Sequence, residues 1–367
     1  MVYQVIGLMS GSSRDGLDIV FALIEEQRGK WSYTLEEAVC EPYPEFWQKA
    51  LDMDLAMPFP AFLELHSAYG RYLGERVMAF IQERNLKHRV HFIASHGHTA
   101  YHNPGARTGF ALGDGAQLAA VTGLPVITDL RSMDLALGGQ GAPIVPIGDR
   151  LLFSDYPFLL NIGGIANLTM RTDSGYLAGD IGPANQVFNR LAGRKGMDMD
   201  RGGELAAKGK LSPEILQRLA DQEYYRLPMP KSLSNEKALA LMDPLWESGL
   251  EVEDALATAQ AHLVAQIVRS LESVHGREKG GRMLVTGGGA FNHQLMAQLS
   301  GALAPLSIEP VVPEKELVEF KEALVMARMG VLRWREETNI YGETTGASRD
   351  HVGGALWMGS GYQISDE

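Results

Sequence analysis

The sequence predicts an α/β protein built as two lobes. Its 367 residues exceed what one hydrophobic core usually organises. An apolar strand, a glycine turn and a returning strand occur twice, from Gly7 (GLMSGSS) and from Leu160 (LNIGGIAN). Two half-molecules of similar topology are therefore expected. No linker rich in proline, serine or charge occurs, so the lobes should pack together rather than hang on a tether. Residues 1–128 with 344–367 are expected to form the first lobe and residues 129–343 the second.

Composition narrows the function. Thirty-three Lys and Arg stand against 45 Asp and Glu, a net charge of −12. That balance argues against a DNA or RNA backbone as partner, which needs a basic face, though local amides and one metal ion can still hold a nucleotide. Cys40 is the single cysteine, which rules out an intrachain disulfide and a cysteine-rich zinc site. There is no apolar run of about 18 residues to span a bilayer. The start, MVYQVIGLMSGSS, lacks the basic and long apolar stretches of a signal peptide. A cytoplasmic globular protein is expected.

Val2 to Met9, the turn SGSSRDG and Leu17 to Ile24 read as a β-hairpin. Phe62 to Arg84 carries an apolar stripe at helical spacing. Val90 to Ala94 is a strand running into SHGHTAYHNP, Gly115 to Thr122 a short helix, and Pro125 to Thr128 a strand ending at DLRSMDLALGGQGAP. The opening theme returns with Phe158 to Ile162, Gly163 and Gly164, and Ala166 to Met170. A third strand near Tyr176 to Ala178 ends at GDIGPANQ. Glu253 to Val274 is a long amphipathic helix. The strand Arg282 to Thr286 leads to GGGAFN, a helix from Phe291 to Leu299 and a last helix from Glu316 to Arg335.

Forty-one glycines, against a usual share of ~7%, gather at strand ends, where backbone can approach a ligand closely. In the first turn, Gly11, Ser12, Ser13 and Gly16 offer amides and hydroxyls for phosphate oxygens, or form a plain hairpin loop. Asp15 and Asp18 can hold Mg²⁺, which takes only one or two carboxylates, or cap the turn. VTGGGAFN leaves backbone flat enough for a purine or ribose, or merely starts a helix. Neither the G-x-G-x-x-G dinucleotide spacing nor a Walker A G-K-[ST] is present. Asp180, at a strand end among glycines, suits a general base or metal ligand, or the cap of the next helix. His96 and His98 would share one strand face near His102, to bind zinc or a polar substrate. Arg131 can pair with an anionic substrate group or with a neighbouring carboxylate.

Taken in order, MSGSSRDGLD, SHGHT, DLRSMDLALGGQGAPIVP, LNIGGIANL, DIGPAN, TGGGAFN and FKEALVMARMG resemble the 1,6-anhydro-N-acetylmuramic acid kinases, over nearly the full length. These belong to the acetate and sugar kinase, Hsp70 and actin superfamily. The resemblance implies two ribonuclease H-like lobes (the actin-like ATPase fold), each with a five-stranded mixed sheet, and ATP with Mg²⁺ in the interlobe cleft. It implies a first phosphate loop of Gly11, Ser12, Ser13, Arg14, Asp15, Gly16, Leu17 and Asp18, a second at Gly163 and Gly164, and an adenosine loop at Gly287, Gly288 and Gly289. Asp180 matches the catalytic aspartate, and His96, Arg131 and Glu322 match positions near the sugar. The implied reaction adds water at C1 while O6 of the opened bridge takes the γ-phosphoryl group. Its product is N-acetylmuramate 6-phosphate, an intermediate of peptidoglycan recycling. A homodimer is also implied.

The chain departs from that family's pattern at Ser12 (usually Thr), Arg14 (Leu), His98 (Gln), Ala184 (Gly) and Asn189 (Asp), and MDMDRGG replaces a D-x-DG segment. These changes surround the sugar more than the nucleotide. Two alternatives share the fold: a kinase of another anhydrosugar or a hexose, and an ATP-driven switch of the actin or Hsp70 kind.

Overall fold

The computed structural model describes residues 1–11, 16–52, 57–141, 152–173 and 175–361. Ser12, Ser13, Arg14 and Asp15 of the first turn lie outside the described residues. In chain order the elements are β1 (Val2–Ser10), β2 (Gly16–Gln27), β3 (Lys30–Pro42), α1 (Glu45–Ala50), α2 (Phe59–Glu83), β4 (Phe92–Ser95), β5 (His98–Asn103), β6 (Thr108–Leu112), α3 (Gly115–Thr122), β7 (Val126–Thr128) and α4 (Ser132–Ala136). Then follow β8 (Phe158–Ile162), β9 (Ile165–Thr172), β10 (Gly175–Pro183), α5 (Asn185–Gly193), α6 (Pro213–Ala220), α7 (Asn235–Ala240), α8 (Asp243–Trp246) and α9 (Val252–Ser273). The chain closes with β11 (Gly281–Thr286), α10 (His293–Leu303), β12 (Ile308–Val311), α11 (Lys315–Trp334), α12 (Gly342–Thr345) and β13 (Ala355–Trp357).

Two compact units result: Met1–Phe153 with Phe320–Glu367, and Ser154–Glu319. Both repeat one strand plan. In the first, β3, β2 and β1 form an antiparallel meander, and β4 and β7 join parallel to β1. In the second, β10, β9 and β8 form the meander, and β11 and β12 join parallel to β8. This is the ribonuclease H-like arrangement, present twice. The first sheet departs from the implied five strands, because β13 adds a sixth, antiparallel to β7.

Each unit has its own core. In the first, Ile6, Leu8, Phe21, Tyr69, Val77 and Phe80 pack between the sheet and α2. In the second, Leu160, Leu168, Ile181, Leu263, Ile267 and Leu299 do the same with α9 and α10. The division falls at 153/154 and 319/320, not at the expected 128/129 and 343/344. Two contacts explain why. The buried Asp134 carboxylate of α4 accepts hydrogen bonds from Thr345 Oγ1 at 2.5 Å and Gly141 N–H at 2.6 Å. The body of α11 lies directly on the first sheet, with Gly330 against Ala94 and Gly7 of β1 against Ala323. Among the described residues no helix is long and apolar enough to cross a membrane.

The approach of β1 to α11 gives a stability test. A Cβ on Gly7 would collide with the Ala323 carbonyl oxygen, and overpacking of this kind typically costs roughly 1–3 kcal/mol. Gly7→Ala should lower the calorimetric Tm of the first unit by several degrees. An unchanged Tm would contradict this packing.

Candidate active site

The first hairpin brings Ser10 opposite Leu17, and Asp18 opposite both Met9 and Cys40. Ser10, immediately before Gly11, is held by a buried chain of hydrogen bonds. Its Oγ lies 2.9 Å from His98 Nδ1 and accepts from the Tyr43 hydroxyl at 2.8 Å, and Tyr43 pairs with the Tyr69 hydroxyl at 2.6 Å. Burial pushes the Tyr43 hydroxyl up to about 12, and the Asp18 charge adds to this, so that hydroxyl stays protonated. Gly16 has a packing cause of its own, since a Cβ would lie 2.6 Å from Cys40 Sγ and 2.7 Å from the Glu41 carbonyl oxygen. A magnesium ion carried on nucleotide phosphates needs only one or two carboxylates, so Asp18 alone is chemically sufficient. No group of three or more ligating side chains occurs among the described residues.

In the same unit β4 ends at Ser95 and the chain turns through Gly97, in the left-handed region at φ +67°. His96 therefore sits in a turn and does not share a strand face with His98, which opens β5. Arg131 donates to His96 Nε2 from Nε at 3.1 Å and from Nη2 at 2.8 Å, and His96 Nδ1 lies 3.0 Å from the Gly97 carbonyl. These partners fix the tautomer: Nε2 accepts and Nδ1–H donates. Burial first, and the Arg131 charge second, push His96 down to about 3, so the ring is neutral at physiological pH. With a guanidinium on one nitrogen and a carbonyl on the other, His96 is unsuited to zinc. Arg131 is itself lowered to about 10 by desolvation, opposed by the charges of Glu322 and Asp134, and stays cationic. His96, Arg131 and Glu322 are thus brought together.

Arg131 and His96 line a narrow, open pocket. A larger neighbouring pocket shares His96, Asp129 and Ser132 with it, and adds His66 and Trp357. Asp129 escaped the sequence reading. It holds a left-handed φ of +54°, and its carboxylate accepts from Ser132 Oγ at 2.5 Å. A strained non-glycine residue is often found at a functional site; its only sequence signal is its place two residues before Arg131.

In the second unit β10 continues past the expected Ala178 to Pro183, and a bulge between Asp180 and Gly182 re-aims the chain. Three hydrogen bonds fasten Asp180 to the segment 224–233. Its N–H donates to the Lys231 carbonyl at 2.8 Å, its carbonyl accepts from the Tyr224 hydroxyl at 2.7 Å, and Oδ2 accepts from Leu233 N–H at 2.8 Å. The helix-cap alternative is ruled out, because the cap position of α5 is Ala184, without a side-chain bond. Desolvation pushes the Asp180 carboxyl up to about 6, against the opposing pull of Leu233 N–H and Lys231. That value suits a group exchanging a proton near neutrality.

Gly163 and Gly164 form the β8–β9 turn, and their carbonyls accept from the amides of Asn185 and Ala184. A Cβ on either would meet nothing closer than 3.4 Å, so protein packing leaves that surface open. The triple glycine divides by role. Gly287, at φ +79°, and Gly289 are required by close approach to Ile162, whereas a Cβ on Gly288 would come no nearer than 3.4 Å. Gly288 lines an open pocket with Asn185, Asn189, Arg201, Phe291 and Asn292.

A sequence profile of anhydro-N-acetylmuramic acid kinases matches residues 3–359. The chain belongs to that family. It is 35% identical to the anhydro-N-acetylmuramic acid kinase of Paramagnetospirillum magneticum, over 95% of this chain and 98% of that one. The protein of the same name from Photobacterium profundum is 32% identical, over 98% and 100%. That from Nitrosospira multiformis is 36% identical, over 82% and 83%. Three of the chain's departures within the family have visible settings. Ala184 is fully buried at φ −134° and ψ −109°, and its methyl joins the core. His98 anchors Ser10. Asn189 faces the pocket beside Gly288.

The His96–Arg131 pair is open to direct test. Ring-proton NMR should show His96 neutral from about pH 5 to 8, the range in which ordinary histidines titrate. Arg131→Met should raise its titration point. Ordinary titration of His96 in the wild-type protein would contradict the pairing.

Proposed function

We propose that this chain uses ATP to convert 1,6-anhydro-N-acetylmuramic acid into N-acetylmuramate 6-phosphate, opening the anhydro bridge with water in the same reaction. The observation that carries the reading is the Asp180 carboxyl, anchored through Oδ2 to Leu233 N–H and poised near 6. Family membership supports the kinase activity and the sugar.

Water is a poor nucleophile at neutral pH, so its attack on C1 needs a base. Asp180 takes the proton as the water oxygen bonds to C1 and the C1–O6 bond breaks. O6 receives the γ-phosphoryl group, ADP departs, and Asp180 returns the proton to solvent. In this reading Arg131 meets an anionic part of the sugar, most simply the lactyl carboxylate, and His96 and Glu322 keep it aimed and charged. Gly11 to Asp18 and Gly163 with Gly164 cradle the phosphates, and Gly288 faces the adenosine. Asp15 and Asp18 would hold Mg²⁺, which when bound withdraws charge from the phosphoryl oxygens. The reaction would belong to cytoplasmic recycling of cell-wall sugars.

The test is Asp180→Asn, which keeps shape and hydrogen bonding but cannot accept the proton. General base catalysis is typically worth ~10²–10⁴ in rate, so kcat should fall by at least ~10² with ATP affinity nearly unchanged. In H₂¹⁸O the wild-type product should carry label at C1 and phosphate on O6. A near-normal kcat in Asp180→Asn would exclude it as the base, and an unlabelled product would exclude hydrolytic opening.

A further inference from the structure

We propose that Lys231 is a positioning residue for this reaction, the cation that favours the ionised form of the Asp180 carboxyl. The inference rests on Asp180 being the general base. Lys231 is fixed relative to Asp180 on both sides along the chain. Its carbonyl accepts from Asp180 N–H, and two residues on, Leu233 N–H donates to Asp180 Oδ2. Gly179 makes this approach possible, because a Cβ there would stand 3.0 Å from the Lys231 carbonyl oxygen. The ammonium group has its own partners. Nζ donates to the Tyr224 carbonyl at 3.2 Å and lies 4.5 Å from the centre of the Tyr224 ring, whose face attracts a cation. Tyr224 in turn donates its hydroxyl to the Asp180 carbonyl, so base, cation and ring form one closed set.

The other titratable groups around Asp180 do not supply a competing charge. Burial pushes the Tyr224 and Tyr225 hydroxyls up, so both are neutral. His262 of α9 is pushed down to about 4 by burial and is neutral as well. Arg269 of α9 acts on Lys231, lowering it, while Asp180 acts in the opposite sense. Glu236 and Lys237 of α7 are exposed, where solvent screens them. Lys231 is the side-chain cation that acts on Asp180. Enclosure alone would favour the protonated acid, which cannot take a proton from water. A nearby cation opposes this, leaving the base ionised at neutral pH without taking it out of its enclosed site.

The experiment is the pH dependence of kcat/KM for the full chain with ATP, Mg²⁺ and the anhydromuramic sugar. Wild type should lose activity as pH falls through about 6, where Asp180 becomes protonated. Lys231→Met should move that acid limb upward, because loss of an opposite charge raises a carboxyl, and leave the alkaline plateau in place. Lys231→Arg keeps the charge and should restore the wild-type limb. Tyr224→Phe keeps the ring but loses the bond to the Asp180 carbonyl, so it should lower the plateau without moving the limb. A Lys231→Met limb at the wild-type position, or a uniform loss at every pH, would overturn the role of Lys231. An Asp180→Asn protein that keeps both rate and limb would instead overturn the base assignment.

Discussion

The chemistry proposed for this chain depends on one carboxyl group held partly out of water by backbone that reaches it from a distant part of the sequence. Asp180 makes three hydrogen bonds with residues 224–233, donating one and accepting two. Enclosure alone would make it a weak acid that stays protonated; the amide of Leu233 and the charge of Lys231 limit the rise to about 6. β10 is the edge strand of its sheet, and its bulge falls directly after Asp180, so the side of Asp180 away from β9 is free to take the segment 224–233. Enclosure, anchoring and a nearby cation act together on this carboxyl, as the proposed base requires.

In the other unit Arg131 is desolvated enough to be lowered to about 10, with the charges of Glu322 and Asp134 opposing the fall. Its bonds to the neutral His96 ring orient the guanidinium. Asp134 also ties α4 to Thr345 and Gly141, so the segment carrying Arg131 is fixed to the C-terminal part of its own unit.

Much of this was legible in the sequence. The repeated strand–glycine–strand theme predicted two units of one topology, because hairpin turns and apolar strands are local signals. The helix 115–122 agrees residue for residue, with Asp114 and Gly123 as its caps. What escaped was decided by long-range contact. β3 is a charged, alternating strand whose pairing with β2 sets its conformation, and the sequence offered no apolar run there. The short β13 is a strand only because β7 has a free edge. Asp180 was recognised from its glycine neighbours, but its partners lie some fifty positions downstream in a segment with no motif. The glycines of GGGAFN look equivalent by letter, yet Gly287 and Gly289 answer to Ile162 and only Gly288 is open. His96 and His98 suggested a metal pair by spacing until Gly97 turned the chain between them.

The state of the Asp180 carboxyl is the most direct point of contact with experiment. Carbon-13 NMR of the labelled side chain, assigned by its loss in Asp180→Asn, would follow its ionisation in the free protein. A titration midpoint near 6 is expected. A midpoint at the ordinary aspartate value of 3.8 would mean a solvated carboxylate, and would contradict the enclosed general base on which the mechanism rests.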